Sequence, residues 1–186
     1  MRLVKGLGAF YFMENISAVN YIKTMLSGRL CNVLELGSGD QSEATQIATE
    51  ISGEYFSIDK KAVDESVNNR VTFINADFFD INEVDKIIHN KKFELIFANY
   101  SLCFNKKDVI VEHLPYYFGK LVEGGIFYVG DFTNDEQVVR KRTNLDDEWF
   151  FDFIKKRFRS YEIGRENVYE ELHGHTHRVF QLIAHK

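Results

Sequence analysis

The stretch VLELGSGD, residues 33–40, decides how the rest of the chain is interpreted. Its apolar run carries an acid, Glu35, near the end and continues into two glycines, Gly37 and Gly39. Glycine adopts positive φ and lets the backbone approach a ligand where a Cβ would collide. We therefore expect a strand over residues 31–36, followed by a tight turn that can hold a ligand.

A helix is expected directly after this turn, over residues 42–51, with Ser42 as its cap. Apolar residues recur behind the cap at helical spacing: Ala44, Ile47, Ala48 and Ile51. The free N–H groups and the positive dipole end of the helix would point into the turn, which predicts an anionic ligand group there. A plain structural turn is the alternative for this stretch taken alone.

The composition indicates one folded domain without a nucleic-acid partner. The chain has 186 residues, of which 45% are hydrophobic and 15% aromatic, enough for one well-buried core. A formal net charge of −5 argues against a surface that binds nucleic-acid phosphates, which requires a basic face. We predict a single domain over residues 1–186, in which residues 1–29 form an N-terminal helical segment over the site.

The sequence gives no indication of export, membrane insertion or a metal centre. Cys31 and Cys103 lie in neither metal-ligand nor disulfide spacing, which favours a reducing compartment, and we expect a cytoplasmic protein. No apolar run is long enough to cross a bilayer. Three alternating histidines would share one face of a strand, but no carboxylate or cysteine completes a metal site with them: His173, His175 and His177.

Strands and helices alternate along most of the chain. Periodicity predicts helices over 10–26, 80–90, 105–122 and 146–158, and further strands over 55–59, 71–75, 93–99 and 126–132. Asp80 is expected to cap the helix over 80–90, with Glu83 reaching back to it. Asn105 is expected to cap the helix over 105–122, and Gly124-Gly125 to stop it. This order predicts a mainly parallel sheet with helices on both faces. Two final strands, 161–170 and 176–184, are expected to form an antiparallel hairpin.

Polar side chains fall at or just after the ends of five predicted strands: Glu35, Asp59, Asp77, Asn99 and Asp131. Ligands of open α/β sheets bind beyond the carboxyl ends of the strands. Each side chain alone could be a cap or turn residue, but five in succession predict one crevice that collects them.

Two cofactor patterns contain such a glycine turn, and neither is complete here. The dinucleotide pattern G-x-G-x-x-G needs glycine at Ser42, and the S-adenosylmethionine pattern, acid-x-G-x-G-x-G, needs glycine at Gln41. Glu35 favours the second pattern, because a dinucleotide fold normally keeps that position apolar.

The chain resembles class I S-adenosylmethionine-dependent methyltransferases over about residues 30–186. The segments that carry the resemblance are VLELGSGDQSEA, YFSIDK, INADFF, FELIFANYSLCF, LVEGGIFYVGDF and HRVFQLIAHK. ANYSLCF, GGIFYVGDF and VFQLIA are further similar to small bacterial methyltransferases of the tellurite-resistance type. The resemblance implies a Rossmann-like, doubly wound α/β sheet of seven strands, mostly parallel with the last strand antiparallel, and S-adenosylmethionine as cofactor.

The resemblance also implies a set of cofactor-binding residues: Glu35, Gly37, Ser38, Gly39, Asp59, Lys60, Asp77, Phe78, Asn99 and Tyr100. The turn and Glu35 would hold the methionine portion. Asp59 would accept hydrogen bonds from both ribose hydroxyls, and Asp77 would bind the exocyclic amine of adenine. Lys60 stands where an apolar residue commonly packs on adenine, so either its stem covers the ring or the site is looser.

The expected function is methyl transfer to a small-molecule acceptor by in-line displacement, for which alignment and exclusion of water matter most. The segment Asn99-Tyr100-Ser101-Leu102 lacks the two prolines of the Asn-Pro-Pro-Tyr motif used on planar amines of nucleic-acid bases or glutamine, which disfavours base methylation. If a general base is needed, the candidate catalytic residues are Tyr11, Tyr100 and Asp131, with Asn15 and His113 as further candidates. Two alternatives stay open: a non-catalytic methyltransferase-like scaffold and an NAD-dependent oxidoreductase.

Overall fold

An eight-stranded sheet with helices on both faces organises the part of the chain that the structure describes. This computed structural model describes residues 3–4, 18–26, 29–39, 42–61, 70–133, 142–170 and 175–186. The strands are β1 (Leu3–Val4), β2 (Val33–Leu36), β3 (Tyr55–Asp59), β4 (Val71–Asn75), β5 (Phe93–Asn99), β6 (Leu121–Phe132), β7 (Ser160–Glu170) and β8 (His175–His185). The helices are α1 (Ala18–Leu26), α2 (Ser42–Ala48), α3 (Ile81–Ile88), α4 (Lys107–Lys120) and α5 (Glu148–Lys155), with a 3-10 helix at Leu102–Phe104.

The strand order is β1-β7-β8-β6-β5-β2-β3-β4. From β6 to β4 all neighbours are parallel, whereas β8 is inserted antiparallel between β6 and β7. The predicted seven-stranded arrangement, mostly parallel with a reversed last strand, is confirmed. The two-residue β1, which pairs antiparallel with β7, adds an eighth strand that the sequence analysis did not predict.

Two apolar layers cover the sheet, one on each face. α1 and α2 contribute Ile22 and Ile47 to one layer, where they join Val33 of β2 and Phe97 of β5. The other layer contains side chains of α3, α4 and α5 together with Leu34 of β2. All four residues of β2 are buried, which explains why this strand reads as a nearly continuous apolar run.

The junction of α4 and β6 differs from the prediction. Asn105 does not cap α4, because its side-chain amide donates to the carbonyl oxygens of Ser101 and Leu102 and closes the 3-10 helix. β6 begins at Leu121, directly after the helix, and the expected stop at Gly124 lies inside the strand at φ 76°. The pairing register with β5 shifts there, so the glycines accommodate an irregularity rather than a loop.

The predicted cap of α3 is half correct. Asp80 is the N-cap, and its Oδ1 accepts a hydrogen bond from the Glu83 N–H at 3.3 Å. The Glu83 side chain does not return the bond, since it pairs with Lys86, and the Asp80 N–H donates to the Asp77 carbonyl. Among the residues that the structure describes, no helix combines the length and the apolar character needed to cross a membrane.

Candidate functional site

The turn after β2 has the backbone that its glycines predicted. Gly37 and Gly39 have φ values of 82° and 57°. A Cβ on Gly37 would collide with the Cβ of Ser101, whose hydroxyl donates to the Leu36 carbonyl oxygen at 2.5 Å. Ser101 therefore packs against the turn and holds its backbone in place. The sequence analysis missed this role, because no local pattern links residues 65 positions apart.

The N–H groups of this turn are bonded within the protein. Gly37 and Ser38 donate to the Ile58 carbonyl oxygen at 2.7 and 3.3 Å, and Gly39 donates to Asp59 Oδ2 at 2.8 Å. The Ser38 hydroxyl is buried without a hydrogen-bond partner, and the space where a Cβ on Gly39 would lie is open. The turn thus offers a buried hydroxyl and an open side to a ligand, and its own N–H groups are already bonded. The free N–H groups predicted at the start of the following helix stay a prediction.

Asp59 and the glycine turn lie together at the carboxyl end of the sheet. Besides the Gly39 N–H, the Asp59 carboxylate accepts the Lys61 N–H at 2.8 Å. Each carboxylate oxygen has a further lone pair, so the group can still accept two hydroxyl donors. The carboxylate fits a ribose diol.

Asp77 lies just past the neighbouring strand β4 and is paired with Lys60. The Lys60 Nζ donates to Asp77 Oδ2 at 3.1 Å, and the Phe79 N–H donates to Oδ1 at 3.0 Å. Partial burial raises the pKa of Asp77, but the Phe79 N–H and the Lys60 charge outweigh it, and the net pKa lies below the usual value. The Lys60 amine thus lies at the acid that was expected to bind adenine.

Phe78 and Glu35 are buried beneath this surface. Phe78 is 5% exposed and contacts the Phe79 ring at 4.5 Å between centroids. Glu35 is 2% exposed, and its Oε2 accepts hydrogen bonds from the hydroxyls of Tyr55 at 3.0 Å and Ser57 at 3.1 Å. The Glu35 carboxyl group therefore lies inside the sheet, under the turn, and is not exposed at the surface of the site.

Asn99 ends β5 and Tyr100 follows it, at the same edge of the sheet. Tyr100 has φ 50° and is the only non-glycine residue with positive φ in the described ranges. Its N–H donates to the Gly130 carbonyl oxygen at 2.8 Å. Gly130 has no room for a side chain, because a Cβ there would collide with Asn99 Oδ1. A strained backbone held by neighbouring groups is typical of functional sites.

Asp131 is placed apart from this surface. It is 1% exposed on β6, on the face opposite to Gly130, and its Oδ1 accepts the Phe132 N–H at 2.7 Å. Burial raises the pKa of Asp131 to about 6, although the Phe132 N–H, the Cys103 thiol and the Arg142 charge oppose the rise. Oδ2 is buried without a hydrogen-bond partner.

The other residues that the sequence analysis singled out lie on α4 or outside the described residues. His113 is half-buried on α4, with Nδ1 at 3.1 Å from the Val109 carbonyl oxygen, and its ring packs edge-on against Phe79 at 5.7 Å between centroids, on the side of Asp77. Tyr11, Asn15 and Gln41 lie outside the described residues, as do the side chains of the three alternating histidines. Hydrogen bonds join Gly39 to Asp59 and Lys60 to Asp77, and Asp59 and Lys60 are consecutive residues. We call these four residues the bonded series.

Several solved structures with a similar fold are methyltransferases. TehB from Haemophilus influenzae is 13% identical with a TM-score of 0.66, over 90% of this chain and 61% of that one. The 1,6-didemethyltoxoflavin-N1-methyltransferase from Burkholderia thailandensis, solved with S-adenosylhomocysteine and 1,6-didemethyltoxoflavin, is 14% identical with a TM-score of 0.66, over 91% and 79%. An rRNA methylase from Streptococcus thermophilus is 9% identical with a TM-score of 0.56, over 90% and 93%.

No protein-family model and no curated protein sequence matches the chain. The likeness to the solved structures therefore establishes the fold, and that fold is the one that the sequence motifs indicated.

Proposed function

We propose that this chain, which has the class I methyltransferase fold, is an S-adenosylmethionine-dependent methyltransferase that acts on a small-molecule acceptor. The observation that carries the proposal is the bonded series at the carboxyl edge of the sheet. The Gly39 N–H binds Asp59 at 2.8 Å, and Lys60 binds Asp77 at 3.1 Å. This edge is where ligands bind in such sheets.

Asp59 and Asp77 would hold the adenosine portion. Asp59 keeps free lone pairs for the two ribose hydroxyls, and charge-assisted bonds of this kind are about twice as strong as neutral ones. Asp77 would take the exocyclic amine of adenine, which requires the Lys60 amine to share or leave the carboxylate. The lowered pKa keeps Asp77 ionised for this role.

The turn would hold the amino-acid portion. The buried Ser38 hydroxyl, which lacks a partner, can donate to a carboxylate. The field of the buried Glu35 carboxylate favours a cation above the turn. When bound, the sulfonium supplies an activated methyl group, and the protein has to align the acceptor and exclude water.

A small-molecule acceptor is proposed because of charge and sequence together. The net charge of −5 is unfavourable for binding nucleic acid, and the chain carries Asn99-Tyr100-Ser101 in place of the Asn-Pro-Pro-Tyr motif. The neighbours include both a 1,6-didemethyltoxoflavin-N1-methyltransferase and an rRNA methylase, so the fold is compatible with either class. A cytoplasmic location is part of the proposal, since both cysteines are free thiols.

The test is a transfer assay with methyl-labelled S-adenosylmethionine and a panel of small hydroxyl, amine and thiol acceptors. We expect label in one acceptor class and equimolar S-adenosylhomocysteine. An Asp59→Ala variant should lose this activity, whereas Glu54→Ala, at the opposite edge of the sheet, should keep it. Label transfer to ribosomal RNA alone would contradict the small-molecule proposal.

A binding scaffold without catalysis is the second candidate. It is favoured by the internal bonding of the turn, where the N–H groups of Gly37, Ser38 and Gly39 all have protein acceptors. Tight binding of S-adenosylmethionine with no product from any acceptor would support it.

A further inference from the structure

The pairing of β3 with β4 brings Lys60 and Asp77 together. Asp59 and Asn75 lie opposite each other in the parallel register, and the Ala76 N–H donates to the Asp59 carbonyl oxygen at 3.1 Å. Lys60 follows Asp59, and its Nζ reaches Asp77 Oδ2 at 3.1 Å. The Lys60–Asp77 pair therefore lies beside the carboxylate that we propose as the ribose ligand.

Hydrogen bonds hold the segment that carries Asp77. The Phe79 N–H donates to Asp77 Oδ1 at 3.0 Å, and the Asp80 N–H donates to the Asp77 carbonyl oxygen at 2.8 Å. The buried Tyr117 hydroxyl on α4 donates to the Phe78 carbonyl oxygen. These bonds fix the carboxylate with Oδ1 on the backbone, and Oδ2 is the oxygen that meets the ammonium.

Both side chains of the pair are accessible to solvent. The Lys60 side chain is 65% exposed and the Asp77 side chain is 42% exposed. Exposed ion pairs contribute little to stability, so a ligand can rearrange this pair at small cost. The bond uses one of the three ammonium N–H groups, and Oδ2 carries a second lone pair. The pair therefore presents a hydrogen-bond donor and a hydrogen-bond acceptor side by side.

The two common groups at C6 of a purine make opposite demands on such a pair. A 6-amino group is a donor, and ring N1 beside it is an acceptor. A 6-oxo group is an acceptor, and the N1–H beside it is a donor. A carboxylate alone accepts from the amino group but repels the lone pairs of the carbonyl oxygen. An ammonium next to the carboxylate supplies the donor that the 6-oxo group needs.

We propose that Lys60 is a specificity-determining residue, which makes the base site bind a 6-oxo purine nucleoside almost as tightly as adenosine. The inference rests on the proposed function, which places the base at Asp77. With adenine, the 6-amino group donates to Asp77, and the Lys60 ammonium shares or leaves Oδ2. With a 6-oxo purine, Lys60 donates to the carbonyl oxygen and Asp77 accepts the N1–H.

The test compares S-adenosylhomocysteine with S-inosylhomocysteine, in which a carbonyl oxygen replaces the exocyclic amine of the base. Calorimetric titration of the wild type should show a preference for S-adenosylhomocysteine below about fivefold. Lys60→Met keeps the apolar stem and removes the donor, so the preference should rise to at least about tenfold. The affinity of Lys60→Met for S-adenosylhomocysteine should not fall, because the ammonium no longer competes for Oδ2.

Lys86→Met is the matched control. Lys86 pairs with Glu83 on α3, and its side chain is 64% exposed, similar to that of Lys60. This variant should leave the affinities for both ligands unchanged. The charge of His113 also acts on Asp77, but His113 is present in every variant, so its contribution cancels in the comparison.

A wild-type preference above about fivefold would overturn the inference, as would a preference that Lys60→Met leaves unchanged. Equal weakening of both ligands in Lys60→Met would also overturn it, because the amine would then act on the whole site and not on the C6 group. A wild type that binds neither ligand is a different result, since it contradicts the proposed function itself. A wild type that transfers methyl groups and strongly prefers S-adenosylhomocysteine contradicts the inference alone.

Discussion

The two edges of the sheet differ in how completely their polar groups are bonded. At the amino edge, the buried Lys120 ammonium donates to Asp85 at 3.0 Å and to the carbonyl oxygens of Ile88 and His89 at 3.2 and 2.5 Å. At the carboxyl edge, the Ser38 hydroxyl and Asp131 Oδ2 are buried without partners. Tyr100 has a strained backbone there.

We infer from this difference that the two edges have different roles. Buried polar atoms are nearly always hydrogen-bonded, and those that are not indicate a functional constraint. Both edges belong to the same strands, so the local propensity of the strands does not explain the contrast. We infer that the amino edge stabilises the fold, while the carboxyl edge is retained for binding at a cost in stability.

The largest expected effect comes from the turn at the carboxyl edge. Gly37→Ala places a Cβ against Ser101 in a left-handed conformation, and should lower the free energy of unfolding by about 3 kcal/mol. Gly39→Ala is the matched control, since its φ is also positive but its Cβ meets open space. It should cost about 1 kcal/mol. Urea denaturation measures both, and equal losses would show that Ser101 does not fix the turn.

The next effect concerns the amino edge. Lys120→Met removes a buried ammonium, and its three acceptors lose their donor. The free energy of unfolding should therefore fall by about 2 kcal/mol. Lys92→Met removes an exposed amine that binds one carbonyl oxygen, and should cost less than about 1 kcal/mol. Neither variant should change the affinity for S-adenosylhomocysteine. A loss of affinity in Lys120→Met would break the proposed separation of the two edges.

The smallest expected effect is a gain of stability from a substitution at the carboxyl edge. Because the pKa of Asp131 is raised to about 6, the folded chain holds a proton that the unfolded chain loses near pH 4. Stability should therefore fall as pH rises from about 4 to 6 and stay level above that range. Asp131→Asn should raise stability at pH 8 by about 1–2 kcal/mol and flatten this part of the profile. Melting temperatures between pH 4 and 8 test this, and an unchanged slope would show that Asp131 titrates normally.

The sequence predicted the parts of the fold that depend on local patterns. The bounds of β3, β4 and β5 agree with the prediction, because a charged residue precedes each apolar run and an Asp or Asn ends it. The start of β6 was wrong, since Gly124 and Gly125 read as a stop but accommodate a register shift against β5. That shift depends on a neighbouring strand, which no local pattern records.

The candidate site was predicted less completely. The glycines of the turn and Asp59 were placed together, and the structure joins them at 2.8 Å. The contacts of Ser101 beneath Gly37 and of Arg142 on Phe132 were missed, because both join segments that are distant in sequence. The pairing of Lys60 with Asp77 was also not predicted, because it joins side chains that follow two different strands.

Calorimetric titration with S-adenosylhomocysteine, with NADH as the competing ligand, tests the central claim most directly. We predict that the wild type binds S-adenosylhomocysteine and not NADH. Asp59→Ala should weaken that binding by about 30-fold, which corresponds to about 2 kcal/mol for charge-assisted bonds to the ribose. Binding of NADH alone, or an affinity for S-adenosylhomocysteine that Asp59→Ala leaves unchanged, would contradict the account.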